Sequence, residues 1–361
     1  MREMITPSNS GFDPDRYRGW AAPAYVIAEA GVNHGGNLEA ALEMVRVAAG
    51  SGIDALKFQT YKAGRIATRT SSAYWDRSME PSGSQYELFL KYDMFDESDY
   101  RHLAAACAEA GITFLTTPFD TDCISWLDEL LAMWKVASAD ITNFPLLRRI
   151  ASTGKPVILS TGASTLGEVE EAVDVLTRAG CPDVTLLHCT LSYPTATSDA
   201  NIGTIVHLQT AFPGTVLGYS DHTLPHDSFA AIAGAFTLGA RVIEKHFTLD
   251  KTLTGNDHWH SFDGADFTRL REELDRLQML LGQPRKLVLP NEEPARLHAR
   301  RSLVARGPIR RGELLTADAI DVKRPGTGIE PRHLETLIGW HATVEIEDDT
   351  TLQWHMLAPP A

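Results

Sequence analysis

The amino-acid sequence predicts an α/β protein in which a (β/α)8 barrel is followed by a small β-rich domain. Short runs of β-branched and other apolar residues alternate with helical patterns over about 260 residues, which favours a parallel barrel. Each apolar run also ends in a cluster of polar residues. Because a parallel barrel gathers the C-terminal ends of its strands in one mouth, those polar side chains should share a single site.

Eight segments are predicted to form the strands of the barrel. All of them start with residues that suit a buried strand and finish with side chains able to bind or react. In chain order they are YVIAEAGVNH, LKFQT, FLTTPF, WKVASAD, VILSTG, LLHCT, LGYSDH and VIEKHF. The polar residues near their ends are Glu29, Lys57, Gln59, Thr117, Lys135, Ser138, Asp140, Ser160, His188, Ser220, Asp221, His222, Glu244 and His246.

The segments between the strands have helical periodicity and usually end at Gly or Pro. In the first of them Asn37 can cap a helix whose apolar residues recur at helical spacing, and Gly50 or Gly52 can end it. The predicted helices are NLEAALEMVRVAAGSG, DESDYRHLAAACAEAG, DTDCISWLDELL, FPLLRRIASTG, TLGEVEEAVDVLTRAG, NIGTIVHLQTAF, HDSFAAIAGAFTLG and ADFTRLREELDRLQMLLG.

One insertion interrupts this alternation. The stretch ATRTSSAYWDRSMEPSGSQYELFLKYDMF separates the second strand from the helix that begins at Asp96, and it is long and rich in aromatic residues. Loops of this kind at the mouth of a barrel often carry function. We expect the insertion to overhang the mouth. Two interpretations stay open: it covers the substrate, or it is a packed excursion on the surface.

The alternation stops after Gly282. The segment QPRKLVLPNEEPARLHAR carries three prolines and many charges, which predicts an extended linker long enough to reach a neighbouring subunit. A second module with short strands and turns begins near Arg301. The predicted divisions are an N-terminal extension at 1–20, a barrel at 21–283, a linker at 284–300 and a second domain at 301–361.

Composition excludes several functional classes. The chain of 361 residues is 43% hydrophobic and has no apolar run long enough to span a bilayer, and its first twenty residues lack the apolar core of a secretory signal. We therefore expect a cytoplasmic protein without a membrane anchor. The four cysteines show no CxxC spacing and are predicted to be reduced thiols. A formal net charge of −14 argues against nucleic-acid binding, which needs clustered Lys and Arg.

A set of motifs along nearly the whole chain resembles the sialic acid synthase family. In order, the motifs are IAEAGVNHGG, KFQT, TTPFD, KVASADITNFPLL, ILSTGAS, LLHCTLSYPT, GYSDHT, EKHFTLDKT and KRPGTG. The resemblance implies a barrel with a C-terminal antifreeze-like (SAF) domain. It also implies a transferase that condenses phosphoenolpyruvate with a mannosamine-type sugar. The product would be a nine-carbon 2-keto acid, with phosphate released by C–O cleavage.

Cations and hydroxyl groups at the strand ends suit phosphoenolpyruvate, which carries a phosphate and a carboxylate. Lys57 and Lys135 emerge from different strands, and the same strand ends also carry hydroxyl residues. For either lysine alone, an ion pair with a nearby carboxylate is the commoner role. By resemblance, the residues that hold phosphoenolpyruvate are Lys57, Thr117, Lys135, Ser138, Ser160 and Ser220.

His222 and His246 end neighbouring strands, so both imidazoles can face one point in the mouth. Two histidine ligands leave positions open for waters and a substrate oxygen, as a Lewis-acid metal requires. By resemblance this catalytic metal is Mn²⁺ or Mg²⁺. Taken singly, each histidine would more often be a hydrogen-bonded structural residue. His188 is interpreted as a supporting or structural residue.

Glu29 lies in an apolar segment, where a carboxylate is costly without a task. The resemblance implies that it is the catalytic acid or base for the water that attacks C2 of the intermediate. The alternative is an electrostatic partner for Lys57 or Lys135.

Residues for the sugar follow from the resemblance alone. The matching positions are Gln59, Tyr193, Glu244, Asp257 and Arg324. In the family the arginine is inserted by the C-terminal domain into the partner's active site in a domain-swapped homodimer. Its alternative interpretation is a turn arginine before Pro325 and Gly326.

Some positions depart from the family pattern. Leu191 stands where an Asn is common, and Asp140 stands where many members have Glu. The insertion and the stretch GNDHWHSFD also differ, and Tyr74, Trp75 and Trp259 add aromatic surface that suits a modified or deoxygenated sugar. Precursors of legionaminic or pseudaminic acid, or of a specialised metabolite, therefore stay open as acceptors.

Two other classes of function remain open at this point. A lysine at a strand end of a barrel can form a Schiff base and catalyse aldol chemistry without a metal, and Lys57 or Lys135 is placed for this. The same fold could also bind a glycan without catalysis. Retention of Glu29, both lysines and both histidines counts against that last interpretation.

Overall fold

The computed structural model describes residues 12–360 apart from residues 76, 79, 227 and 256. Residues 1–11 of the predicted N-terminal extension lie outside the described part. The chain divides into two compact units, the first ending at Pro284 and the second beginning at Arg285. In the described part, no helix combines the length and the apolar character that crossing a membrane would need.

The first unit is a nearly closed barrel of eight parallel strands, as predicted. The strands lie in the order β3-β2-β1-β8-β7-β6-β5-β4, and β3 and β4 at the two ends of that order pack side by side. The strands are β1 Tyr25–Gly31, β2 Ala55–Thr60, β3 Thr113–Pro118, β4 Trp134–Val136, β5 Val157–Ser160, β6 Val184–His188, β7 Leu217–Asp221 and β8 Val242–His246. Each agrees with a segment predicted from the sequence.

Helices connect the strands and cover the barrel. They are α1 Leu38–Ala49, α2 Ala63–Ile66, α3 Gln85–Tyr92, α4 Glu97–Glu109, α5 Ile124–Leu127, α6 Phe144–Ala151, α7 Leu166–Arg178, α8 Thr204–Ala211, α9 Ala230–Thr237 and α10 Gly264–Leu281. The Asn37 side chain caps α1 by accepting from the Ala40 amide, as predicted. Helix α5 is one turn only, so the longer helix expected there was wrong; the Asp120 carboxylate instead accepts from the amides of Asp122 and Cys123, which turns the chain.

The apolar parts of the strands form the core, and the polar ends remain at the mouth. All seven residues of β1 and all five of β8 are buried. At the opposite end of the barrel, Phe12 and Tyr17 stack at 5.3 Å between ring centroids, and both meet Tyr25 edge-on. Burying a side chain of this size contributes about 1.5–3 kcal/mol. These aromatic rings therefore help to fix the start of β1.

The insertion is a folded element with its own polar anchor. The Glu80 carboxylate is buried and accepts from the Ser82 amide at 2.9 Å, from the Ser82 hydroxyl at 2.6 Å and from Lys91 Nζ at 2.5 Å. Lys91 belongs to α3, so these bonds join the loop to the helix that follows it. The Trp75 indole donates to the Glu80 carbonyl at 2.9 Å.

The second unit is rich in short antiparallel strands, as predicted. Its elements are α11 Glu293–Ala299, β9 Ser302–Ala305, β10 Ile320–Lys323, α12 Leu334–Leu337, β11 His341–Ala342 and β12 Leu357–Ala358. Strand β9 pairs with β10, and β11 pairs with β12. The segment before β9 was expected to be extended, and this was wrong at α11. Pro294 occupies the first turn of that helix, where the missing amide costs nothing.

Gly218 lies where β7 passes between two neighbours too closely for a side chain. A Cβ atom there would overlap the Val242 carbonyl oxygen and the Leu187 side chain. We expect Gly218→Ala to lower the free energy of unfolding by about 1–3 kcal/mol through overpacking. Gly203→Ala is the control, because nothing lies within 4 Å of a Cβ atom there. Urea denaturation of both variants tests this, and equal stabilities would contradict the close packing at Gly218.

Candidate active site

The C-terminal ends of the strands surround a cavity of about 370 Å³. The cavity lies where the parallel barrel was predicted to place its site. Most of the residues singled out in the sequence line it together. They are Glu29, Lys57, Gln59, Thr117, Lys135, Ser138, Asp140, Ser160, Tyr193, Ser220, His222, Glu244, His246 and Asp257.

Lys57 is held between two carboxylates and a hydroxyl group. Its Nζ lies 2.7 Å from Glu29 Oε2 and 3.9 Å from Glu244 Oε2, and it donates to Thr117 Oγ1 at 3.1 Å. The strand register explains the first contact, since Glu29 in β1 is directly opposite Lys57 in β2. Gln59 Nε2 donates to the other oxygen of Glu29 at 3.0 Å. The Glu29 side chain is thus fixed from two sides.

Lys135 faces the same point from the other side of the barrel. Its Nζ donates to Ser160 Oγ at 2.6 Å and lies 3.8 Å from Glu244 Oε1. Ser220 Oγ donates to that same Glu244 oxygen at 2.9 Å. Glu244 therefore stands between the two lysines, among residues predicted to hold phosphoenolpyruvate.

Burial and the neighbouring charges determine how readily Lys57, Lys135 and Glu244 ionise. Burial opposes the charge on Lys57, but Glu244 and Glu29 outweigh it and raise the pKa of that lysine. At Lys135 burial prevails over Glu244 and lowers the pKa. Burial would raise the pKa of Glu244, but Lys135 and Lys57 lower it. Lys135 therefore loses its proton more readily than Lys57.

His222 and His246 lie together at the ends of β7 and β8. Their ring centroids are 5.5 Å apart, and the Tyr193 ring lies 4.4 Å from that of His222. His222 Nδ1 is 2.9 Å from the Thr190 carbonyl oxygen, and donation to that oxygen leaves Nε2 as a free acceptor. Burial and the neighbouring His246 lower the pKa of His222 to about 4. The imidazole is therefore neutral and able to bind a metal.

Asp257 and His260 join the histidines in the mouth. Asp257 Oδ2 lies 3.1 Å from His246 Nδ1, and Asp257 Oδ1 lies 3.8 Å from His260 Nε2. One ligand atom from each of these three residues can be chosen so that all lie within 4.8 Å of one another. Burial alone would lower the pKa of His246, but the Asp257 carboxylate outweighs burial, and the pKa is raised. The sequence analysis missed His260, although the motif DHWH, with one carboxylate and two imidazoles in four residues, could have indicated a metal ligand.

Ser138 is packed against the chain that follows β5. Its hydroxyl oxygen accepts from the Gly162 amide at 2.8 Å and lies 3.2 Å from Cys189 Sγ. A Cβ atom at Gly162 would lie 2.8 Å from the same sulfur, so only glycine permits this approach. All four cysteines are free and buried.

Several predicted residues lie elsewhere or have other partners. His188 Nε2 lies 2.9 Å from the Ala200 carbonyl oxygen, and the residue does not line the cavity. Asp221 is buried and pairs with Lys245 Nζ at 2.8 Å. Asp140 lines the cavity and accepts from Asn143 Nδ2 at 2.9 Å. Arg324 belongs to the second compact unit.

The insertion forms part of the cavity wall. Its lining side chains are mostly aromatic or aliphatic, with one carboxylate and one amide among them. They are Tyr74, Trp75, Glu80, Gln85, Leu88, Phe89 and Tyr92. Leu191 and Trp259 add to the same lining. Of the two interpretations of the insertion, the structure favours a role at the site.

Comparison with known proteins settles the family. The NeuB family profile matches residues 44–286, and the SAF domain profile matches residues 300–358. The chain belongs to the NeuB family. This confirms the predicted resemblance and, with it, the enzyme class, a sugar acid synthase.

Known proteins of similar length match along most of this chain. The chain is 39% identical over 334 residues to an N,N'-diacetyllegionaminic acid synthase of Campylobacter jejuni, covering 91% of this chain and 98% of that protein. It is 32% identical over 348 residues to the N-acetylneuraminate-9-phosphate synthase of Homo sapiens, covering 94% of each. A crystal structure of N-acetylneuraminic acid synthetase from Leptospira borgpetersenii, in complex with citrate, matches with a TM-score of 0.67 and 32% identity, covering 76% of this chain and 90% of that one.

The buried pair of Asp221 and Lys245 ties together the strand ends that carry His222 and His246. We expect Lys245→Met to lower the free energy of unfolding by about 3–5 kcal/mol, because Asp221 is left charged and buried without its partner. Arg178→Met is the control. It breaks an exposed pair with Asp174 and should cost less than about 1 kcal/mol. Urea denaturation distinguishes the two variants. Similar decreases in the free energy of unfolding would show that the buried pair stabilises the protein no more than the exposed one.

Proposed function

We propose that the protein condenses phosphoenolpyruvate with the open-chain aldehyde of an N-acetylmannosamine-type sugar. The products are a nine-carbon 2-keto-3-deoxy sugar acid and phosphate. One observation carries the proposal: two buried lysines from separate strands face one cavity, beside a cluster of histidines and a carboxylate. This arrangement supplies groups for a doubly charged anion and for an aldehyde oxygen in the same space.

The anion half of the site is the group around Lys57 and Lys135. Both ammonium groups already lie within hydrogen-bond distance of a hydroxyl, Thr117 for one and Ser160 for the other. Charge-assisted bonds of this kind are the strong ones in phosphate and carboxylate recognition. Ser138 and Ser220 add neutral groups at the same cavity wall. We assign these six residues to phosphoenolpyruvate.

The histidine cluster fits a divalent cation. His222 offers a free Nε2, and His246 Nδ1 is buried without an aligned hydrogen bond within the described part of the chain. A donor set of imidazole and carboxylate, without thiolate, suits Mn²⁺ or Mg²⁺ better than a soft metal. His222 and His246 would hold the cation. When bound, it supplies Lewis-acid polarisation of the aldehyde oxygen.

The reaction follows from these positions. C3 of phosphoenolpyruvate forms a bond to the aldehyde carbon, whose oxygen takes up a proton, and positive charge develops at C2. Water attacks C2 and gives a proton to Glu29, which lies 2.7 Å from Lys57 at the anion site. The C2–O bond to phosphate then breaks and its electron pair leaves with the phosphate oxygen. The C2 hydroxyl transfers its proton to the departing phosphate and becomes the ketone.

The sugar half lies toward the insertion. Gln59, Tyr193 and Asp257 line the cavity and are proposed to contact the acceptor, with Glu244 facing both halves. Among the described lining residues the cations are Lys57 and Lys135, both on the anion side. The wall from the insertion is largely aromatic and aliphatic, which favours acetamido and deoxy groups. A 2,4-diacetamido-trideoxy hexose, the legionaminic type of acceptor, is therefore the second candidate.

Assembly and location complete the proposal. We propose a homodimer in which Arg324 of one subunit contacts the sugar bound by its partner. Apolar side chains that are largely exposed at the end of α10 and on α11 support a subunit contact there: Met279 is 77%, Leu280 is 73% and Leu297 is 47% exposed. The division into 1–20, 21–283, 284–300 and 301–361 and the cytoplasmic location stay predictions.

Removal of one buried lysine should abolish most of the affinity for phosphoenolpyruvate. We expect Lys135→Met to weaken binding about a hundredfold, since loss of one partner of a buried charge pair costs about 2–5 kcal/mol. Lys155→Met is the matched control. Lys155 pairs with Asp128 and precedes β5, at the opposite end of the barrel from the cavity. Isothermal titration calorimetry measures both, and equal affinities would refute the assignment of Lys135.

Phosphate release tests the function as a whole. With Mn²⁺ and phosphoenolpyruvate, we expect release with N-acetylmannosamine or a 2,4-diacetamido-trideoxy hexose, and loss of release on addition of a chelator. Plain aldoses serve as the control acceptors. A covalent adduct trapped by borohydride with pyruvate would instead identify the Schiff-base aldolase. No release with any acceptor, together with no binding of phosphoenolpyruvate, would refute the synthase.

A further inference from the structure

His260 is a buried imidazole that has no hydrogen-bond partner among the described residues. It lies in the turn His258–His260 between β8 and α10, and only 1% of it is exposed. Neither ring nitrogen has a hydrogen-bond partner within the described part of the chain. His258, two residues earlier, differs, because its Nδ1 lies 2.8 Å from Thr248 Oγ1. A buried polar group without a partner is costly, so a ligand is expected to offset that cost at His260.

The His260 ring faces groups that bind metals. Its centroid lies 4.8 Å from that of His246, and Nε2 is 3.8 Å from Asp257 Oδ1. His260 also lines the cavity, which gives an ion a path to this position.

The contact between His246 and Asp257 has the spacing of two ligands on one ion. His246 Nδ1 and Asp257 Oδ2 are 3.1 Å apart, yet the pair does not satisfy the geometry of a hydrogen bond. Neighbouring ligands on an octahedral ion at about 2.1 Å lie about 3 Å from each other. His260 approaches the other oxygen of the same carboxylate, Asp257 Oδ1.

The segment that carries Asp257 and His260 is fixed by its backbone. Ser261 Oγ donates to the Asp257 carbonyl at 2.6 Å, and Asn33 Nδ2 donates to Ser261 Oγ at 3.1 Å and to the Phe247 carbonyl at 2.9 Å. These bonds hold the turn against the residue that follows β8, and none of them uses the Asp257 carboxylate or the His260 ring. Such support around a set of ligands is typical of prearranged metal sites.

We propose that His260 and Asp257 bind the same divalent cation as His246. The inference rests on the proposed function, and it extends the two-histidine centre to ligands outside the strand ends. It also gives Asp257 a role at the cation in addition to any contact with the sugar. An additional imidazole ligand raises the affinity of the site and moves its preference toward metals that favour nitrogen.

Binding of Mn²⁺ alone tests the proposal without catalysis. Metal-free wild type, His260→Asn and the control His258→Asn are titrated with Mn²⁺, and free ion is measured by electron paramagnetic resonance. We expect His260→Asn to weaken binding about tenfold or more and His258→Asn to leave it unchanged. Spin-echo modulation should also show one fewer coordinated nitrogen in His260→Asn. Thermal melting of the metal-free proteins confirms folding, and His260→Gln replaces a variant that fails to fold.

The outcomes separate the two proposals. Equal Mn²⁺ affinity and equal nitrogen coupling in wild type and His260→Asn would overturn the role of His260, as would wild type that binds no Mn²⁺. Equal affinity and equal nitrogen coupling do not bear on the condensation reaction, whereas a wild type that binds no Mn²⁺ would also remove the proposed Lewis acid from it. The proposed function fails instead when the acceptor panel gives no phosphate and phosphoenolpyruvate does not bind.

Discussion

The register of the parallel strands is the constraint on which the site depends. β1 pairs with β2 on one side and with β8 on the other, so that Glu29 is opposite Lys57 and also opposite His246. In the same way Ser220 of β7 is opposite Glu244 of β8. A slip of one residue would turn each of these side chains to the other face of the sheet. The register therefore brings the proposed base, the proposed anion site and the proposed metal ligands into one cavity.

The charges of the buried acidic and basic side chains in the cavity compensate one another. Glu29 and Glu244 face Lys57 and Lys135, and all four side chains are buried. Burial of unpaired charges would be prohibitive, whereas a paired set is tolerated. Because the set is balanced, an incoming anion with two acidic groups gains from further positive charge nearby. A cation among the histidines would supply it, which links the two halves of the proposed reaction physically.

Much of this arrangement could be predicted from the sequence. The alternation of strands and helices predicted the barrel, and polar strand ends predicted which residues would meet. The direction of a side chain within the mouth could not be predicted, because a strand end marks only a level in the barrel. Glu244 was assigned to the sugar by resemblance, yet it stands between two lysines, since Ser220 and both ammonium groups attract it to that side.

Residues outside the strands were harder to predict. His260 lies in a short turn, which has no periodicity to reveal its direction, and its role depends on where β8 and the turn bring Asp257. Helix α11 was missed because prolines were interpreted as breaks, although Pro294 sits in the first turn. In both cases the decisive information was three-dimensional contact or position within an element, and composition does not contain it.

The most direct test of the central claim is the fate of the bridging oxygen of phosphoenolpyruvate. Substrate with ¹⁸O between C2 and phosphorus is supplied with Mn²⁺ and an acceptor that turns over, and the released phosphate is analysed by its ³¹P isotope shift. If water attacks C2 and Glu29 accepts its proton, as proposed, all of the ¹⁸O leaves with phosphate. Phosphate without the label would show cleavage of the P–O bond and would contradict the account.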